Sequence, residues 1–128
     1  FFVGKQLQAK PEPNASNAIL TKKEPYLMIQ DVTDALKQLK ARRNSKQLDS
    51  LIYSVKKLEE KLSVESDFGY GKSSVINCEN NIARQIQFLL DTAPCIENGD
   101  FEENLKAMNT AVMNINSLLR RRIELKKK

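Results

Sequence analysis

The sequence predicts an all-α domain: an antiparallel four-helix bundle with a flexible N-terminal arm. Three observations point there. Four separate stretches carry apolar residues at alternating steps of three and four, the repeat of one helix face. Turn chemistry parts them: Asn44-Ser45, a loop from Ser63 to Lys72 holding Gly69 and Gly71, and Pro94 followed by Asn98-Gly99-Asp100. The composition suits a soluble helical protein, 41% hydrophobic with four Gly, four Pro and no Trp. At 128 residues the chain makes one domain, able to bury a core without disulfides or metal.

In chain order, residues 1–20 read as an arm or linker and residues 21–128 as the bundle. Gly4 to Ala18 is poor in apolar residues and carries Pro11 and Pro13, the composition of extended chain. Asn14-Ala15-Ser16 matches a glycosylation sequon, a match expected by chance in a chain this rich in Asn. Ahead of it, Phe1-Phe2-Val3 with Lys5 and Lys10 behind fits the tail of a deleted membrane anchor with positive charge just inside. It fits equally a boundary within an unstructured arm, because three apolar residues cannot specify a span.

The first helix is expected to start between Thr21 and Pro25 and to run to about Arg43, on a stripe of Ile29, Val32, Leu36 and Leu39. Tyr26 and Ala35 adjoin it. Thr21 and Glu24 have capping-box spacing, and Pro25 belongs in a first turn, where its missing N–H does little harm. The second helix is expected from Ser45 as N-cap to about Leu62, on Leu48, Leu51, Val55, Leu58 and Leu62. The two do not form one rod. Leu39 and Leu48 lie nine residues apart, about 900° of rotation, which would put the stripes on opposite sides. A break at Asn44-Ser45 turns both towards one core and makes the helices antiparallel neighbours.

In the loop that follows, the glycines permit a tight turn, and Phe68, Tyr70 or both are expected to fold over an end of the core. The third helix spans Ser73 to Ala93 on Val75, Ile82, Ile86, Leu89, Leu90 and Ala93, and Pro94 stops it. The last runs from Asp100 to Lys128. Its stripe is Phe101, Leu105, Met108, Val112, Ile115, Leu119 and Arg122, and only the last of these is charged. Ala111, Leu118 and Leu125 widen it to the face of a bundle helix. Asp100 is the expected N-cap with Glu103 three residues on, and acid at the front and base at the back suit the helix dipole.

At about 27 residues, ~40 Å against ~30 Å for each partner, this helix is expected to project at its final turns. Leu118, Ile123 and Leu125 would then lack cover within the chain, which makes them the candidate interface for a second copy or another protein.

Catalytic signals are sparse. Without any His, the chain has no His-based triad, no His-ligated zinc and none of the commonest general base. Glu59-Glu60 and Glu102-Glu103 are adjacent pairs, whose members point in different directions on a helix. Gly69-Tyr70-Gly71-Lys72-Ser73 looks like the end of a phosphate loop, but Ser66 stands where that motif needs glycine and the preceding segment is helical in pattern. Capping of the third helix by Ser73 or Ser74 is the plainer reading. If the third helix forms, Cys78 and Cys95 lie roughly 25 Å apart, too far to bond, which favours a reducing compartment. The expectation is a non-enzymatic protein with no metal and no cofactor.

The basic residues have more reach. Lys37, Lys40, Arg42, Arg43 and Lys46 gather at the first turn, and Arg120, Arg121, Arg122, Lys126, Lys127 and Lys128 crowd the C-terminus, with a net charge of +5. Arg42, Arg43, Arg120, Arg121, Lys126 and Lys127 are the candidates for contact with an anion or an anionic membrane surface. Nucleic acid ranks lower, because no basic patch is interleaved with stacking aromatics. Service to helix dipoles and solubility is the stronger reading of these charges.

Two stretches carry a resemblance. Ile19-Leu20-Thr21-Lys22-Lys23-Glu24 ahead of an amphipathic helix, and Phe88-Leu89-Leu90-Asp91-Thr92-Ala93 before the last one, resemble the bacterial XpaC-like family, named for bromo-chloro-indolyl phosphate hydrolysis. The resemblance covers about a third of the chain. It implies a membrane-spanning N-terminus followed by a helical cytoplasmic region, hence a domain in the cytoplasm tethered to the inner face of a membrane. Pro25 stands where the family pattern has an aromatic, and neither stretch supplies a phosphatase nucleophile or base, so no activity comes with it.

Overall fold

The computed structural model describes residues 18–127. The arm expected over residues 1–20 therefore lies mostly outside them, including Phe1-Phe2-Val3 and the Asn14 sequon, and so does Lys128. Four helices form: α1 Glu24–Arg42, α2 Lys46–Ser63, α3 Ser73–Thr92 and α4 Phe101–Lys126, with a 3-10 turn Ala93–Cys95 behind α3. Each starts or stops where local chemistry asks. Pro25 sits in the first turn of α1, and Arg43 is extended (φ −143°), which makes the break ahead of Ser45. Ser45 Oγ accepts the Leu48 N–H at 3.3 Å, and Asp100 Oδ1 accepts the Glu103 N–H at 3.2 Å.

Two expected caps differ. At α1 the Glu24 carboxylate accepts the Thr21 N–H at 2.8 Å as a capping box requires, but the Thr21 hydroxyl donates to the same carboxylate instead of capping. Lys23 is the N-cap. At α3 the N-cap is Lys72, with no side-chain cap, and Ser73 and Ser74 lie inside the exposed first turn.

The helices pack as two hairpins laid face to face. α1 packs against α2 and α3, and α4 against α3 and α2, so α1 and α4 occupy one diagonal and α2 and α3 the other. The connection between α2 and α3 must then cross the end of the bundle from corner to corner. That end also holds the start of α1 and the finish of α4. Lys23 Nζ donates to the Ser63 carbonyl, and the Lys22 N–H donates to the Phe68 carbonyl at 2.8 Å in an antiparallel bridge.

The apolar stripes meet in one core. Ile29, Val32 and Leu36 of α1, Leu51, Val55 and Leu58 of α2, Ile82 and Ile86 of α3, and Met108 and Ile115 of α4 are all sealed from solvent. Of the two loop aromatics, Phe68 folds over the core end, fully buried, while Tyr70 stays exposed. Burial of such side chains stabilises by about 1.5–3 kcal/mol each, an upper estimate because the unfolded chain hides part of the same surface.

The expected overhang of α4 is corrected. At 26 residues it is the longest helix, ~39 Å, yet the crossing loop covers its inner face as far as Arg122, only 1% exposed.

Candidate functional site

Arg122 continues the α4 stripe one step past Leu119, so helical pitch aims its side chain at the core end. Glu79 holds the matching place on α3, four residues after Val75 and three before Ile82. Helix packing brings the two together where solvent cannot reach. Arg122 Nε donates to Glu79 Oε2 at 2.6 Å, and both residues are 1% exposed. The crossing loop supplies two more carboxylates: Nη1 donates to Glu65 Oε1 at 2.9 Å and Nη2 to Asp67 Oδ1 at 2.7 Å. The Phe68 ring lies under the guanidinium, 4.1 Å from carbon to centroid. The second oxygen of Glu79 accepts the Gly69 N–H at 2.9 Å, and Lys126 Nζ reaches Asp67 Oδ2.

Burial alone would disfavour the guanidinium charge, but the bonds from Glu79, Asp67 and Glu65 outweigh it and hold the Arg122 pKa above its ordinary value. The hydrogen bond from Lys126, reinforced by Arg122, lowers Asp67 from 3.8 to about 2 against partial desolvation. Three nitrogens of Arg122 and both oxygens of Glu79 are thus engaged within the chain. The arrangement is chemically a clamp: it fastens the crossing loop to α3 and α4, and its two buried members are closed off from solvent.

The residues expected to contact anions are dispersed. At the far end of the bundle, Arg42 and Arg43 both face Glu97, at 3.3 and 3.6 Å, and the Arg43 guanidinium lies 3.8 Å from the Phe101 ring centroid. Arg120 donates to the Ser117 hydroxyl at 3.4 Å, Lys126 belongs to the clamp, and Lys127 is exposed in the turn after α4. Of the three candidate interface residues, Ile123 is 51% exposed. Leu118 is partly buried against the core, and Leu125 is half-buried. Leu118 and Leu125 come together with Arg121, lining a cleft of about 300 Å³ between α3 and α4, opposite Ser74, Asn77 and Cys78.

Cys78 and Cys95 are both free thiols. Burial pushes the Cys78 thiol up, with Arg121 opposing, and its Sγ donates to the Leu118 carbonyl at 3.2 Å. Cys95 is exposed. Among the described residues, no group of three or more His, Cys, Asp or Glu could hold a metal ion, and no helix is long and apolar enough to cross a membrane.

Sequence reasoning found Arg122 in the stripe but not what it does, and it missed Glu79, Glu65 and Asp67. A signal was there for Glu79: the α3 stripe steps from Val75 to Ile82 over a carboxylate at a core position. Opposite charges at stripe positions of two packed helices are expected to pair, because burial of either alone costs several kcal/mol. For Glu65 and Asp67 no periodicity marks a loop residue. Comparison of the chain with protein-family models, curated proteins and solved structures finds no match.

Proposed function

We propose that the chain is a non-enzymatic helical module that engages a protein partner through the outward surface of α4. The observation that carries this reading is the division of labour along that helix. Its buried cation, Arg122, is spent on the fold, whereas Arg121, Leu118 and Leu125 line an open cleft. A partner helix laid against such a cleft gains apolar area and a charge pair together. Contact with an anionic membrane surface is the second reading, and the ion pairs of Arg42, Arg43 and Lys126 weigh against it. Two unpaired thiols suit a reducing compartment such as the cytoplasm.

A photo-crosslinking residue at position 117, exposed on the cleft side of α4, tests the reading against the same residue at position 37 on α1. Discrete adducts with a protein, or with a second copy, at position 117 alone are the expected result. Equal labelling at both positions overturns it.

A further inference from the structure

The cleft beside Arg121 is one end of a longer groove along the outer seam of α3 and α4. Asn81 and Leu118 belong both to it and to a second cleft bounded by Arg84, Gln85 and Asn114. From Ser74 to Gln85 the groove spans eleven residues of α3, about 16 Å. Its electrostatics are one-sided. Arg84 and Arg121 line it and no carboxylate does; Glu124, three residues past Arg121, stays outside. Arg84 donates to the Asn81 amide oxygen at 2.6 Å, and Arg121 makes no hydrogen bond or ion pair among the described residues. Elsewhere in this protein Arg42, Arg43 and Arg122 pair with carboxylates, and Arg120 bonds to the Ser117 hydroxyl. The groove therefore offers two guanidinium groups with no carboxylate beside them, open to carboxylates from outside.

Spacing narrows the occupant. Arg121 faces Asn77 and Cys78 on α3, so Arg84 stands six or seven residues, about 10 Å, further along the groove. That is two turns of helix. Between the two cations, Leu118 gives the floor an apolar patch with its outer side open. The geometry points to an amphipathic acidic helix as the occupant, with carboxylates seven residues apart on Arg121 and Arg84 and leucine-like side chains between them on Leu118. The inference rests on the partner-binding role proposed above and adds to it the surface and the partner's chemistry. A flat lipid surface would meet the rim of the groove but not its floor.

The test is a titration followed by amide NMR and fluorescence anisotropy. The ligand is a labelled helical peptide of Ala, Leu and Glu with two Glu seven residues apart and Leu between; its Lys-for-Glu counterpart and phosphatidylserine vesicles are run beside it. Saturable binding of the Glu peptide is expected, with shifts centred on Asn77, Asn81 and Leu118, no binding of the Lys peptide, and a loss of about tenfold or more in Arg121→Glu and Arg84→Glu. Both arginines are exposed, and unchanged circular dichroism confirms that the variants fold. No saturable binding, shifts away from the groove, vesicle binding that alone depends on these arginines, or self-association through the groove each overturns the inference. If the crosslink at position 117 persists in Arg121→Glu while the peptide fails, the inference falls and the broader role stands; if the crosslink fails too, the role falls with it.

Discussion

Arg122 is the side chain on which the crossing-loop end of the bundle depends. A buried ion pair is weak support for stability when compared with well-packed apolar residues, but removing one partner leaves the other charged in a dry site. Arg122→Met is expected to cost about 3–5 kcal/mol in urea unfolding, because Glu79 stays 1% exposed with only the Gly69 N–H to satisfy it. Arg122→Met combined with Glu79→Gln should recover much of that loss, since the amide still accepts from Gly69 and carries no charge. A single variant that costs under about 0.5 kcal/mol would show that the clamp holds nothing. Asp67 adds a pH dependence whose sign is fixed. Its folded pKa of about 2 lies below the ordinary 3.8, so its contribution is complete above that ordinary value and fades as pH falls through 2. Its side chain is 50% exposed, so solvent screening holds the effect to under about 1 kcal/mol. Asp67→Asn should therefore narrow the gap in urea midpoint between pH 5 and pH 2, and an unchanged gap would count against the pairing.

At the scale of elements, the crossing loop is where sequence pattern and structure part. Its tight point is Gly69, at φ +92°, where a Cβ would stand 2.9 Å from both the Leu20 carbonyl oxygen and the Thr21 methyl. One contact is to backbone and cannot swing aside. Gly69→Ala is expected to cost at least about 1–3 kcal/mol from the backbone conformation alone. It should also speed hydrogen exchange at the Lys22 N–H, whose bond to Phe68 it pushes apart, while amides in the middle of α2 move only with global stability. The helices themselves were legible because burial imposes a period: Leu48, Leu51, Val55, Leu58 and Leu62 could lie on one face only if helical. Their ends were legible where a side chain does the capping, as at Ser45 and Asp100, and not at Ser73, where backbone geometry alone sets the start. The loop escaped because its contacts join residues 57 and 55 positions apart, Glu65 and Asp67 to Arg122, and no local pattern encodes a partner at that distance. The same holds for the groove: Arg121 and Leu125 were singled out on α4, but that Asn77 faces them follows only from which corner of the bundle α3 occupies.

For the molecule as a whole, the diagonal crossing joins the two hairpins across one end of the bundle, and the two thiols report on that joint from opposite situations. Cys95 is exposed beyond α3, whereas Cys78 is 4% exposed on the seam where α3 meets α4, with its Sγ bonded to the Leu118 carbonyl. A thiol reagent should modify Cys95 at once. It should reach Cys78 only when α3 and α4 separate, at a rate set by the free energy of that opening. If the clamp makes this opening global, Arg122→Met should raise the Cys78 rate by the factor matching its loss of stability, on the order of a hundredfold or more for about 3 kcal/mol. The Cys95 rate should not change. Labelling of Cys78 that stays insensitive to Arg122→Met, under conditions where urea midpoints fall, would mean that the seam breathes independently of the clamp. The hairpins would then open as separate units, contrary to the single core in which Met108 and Ile115 of α4 pack with Val55 of α2 and Ile82 of α3.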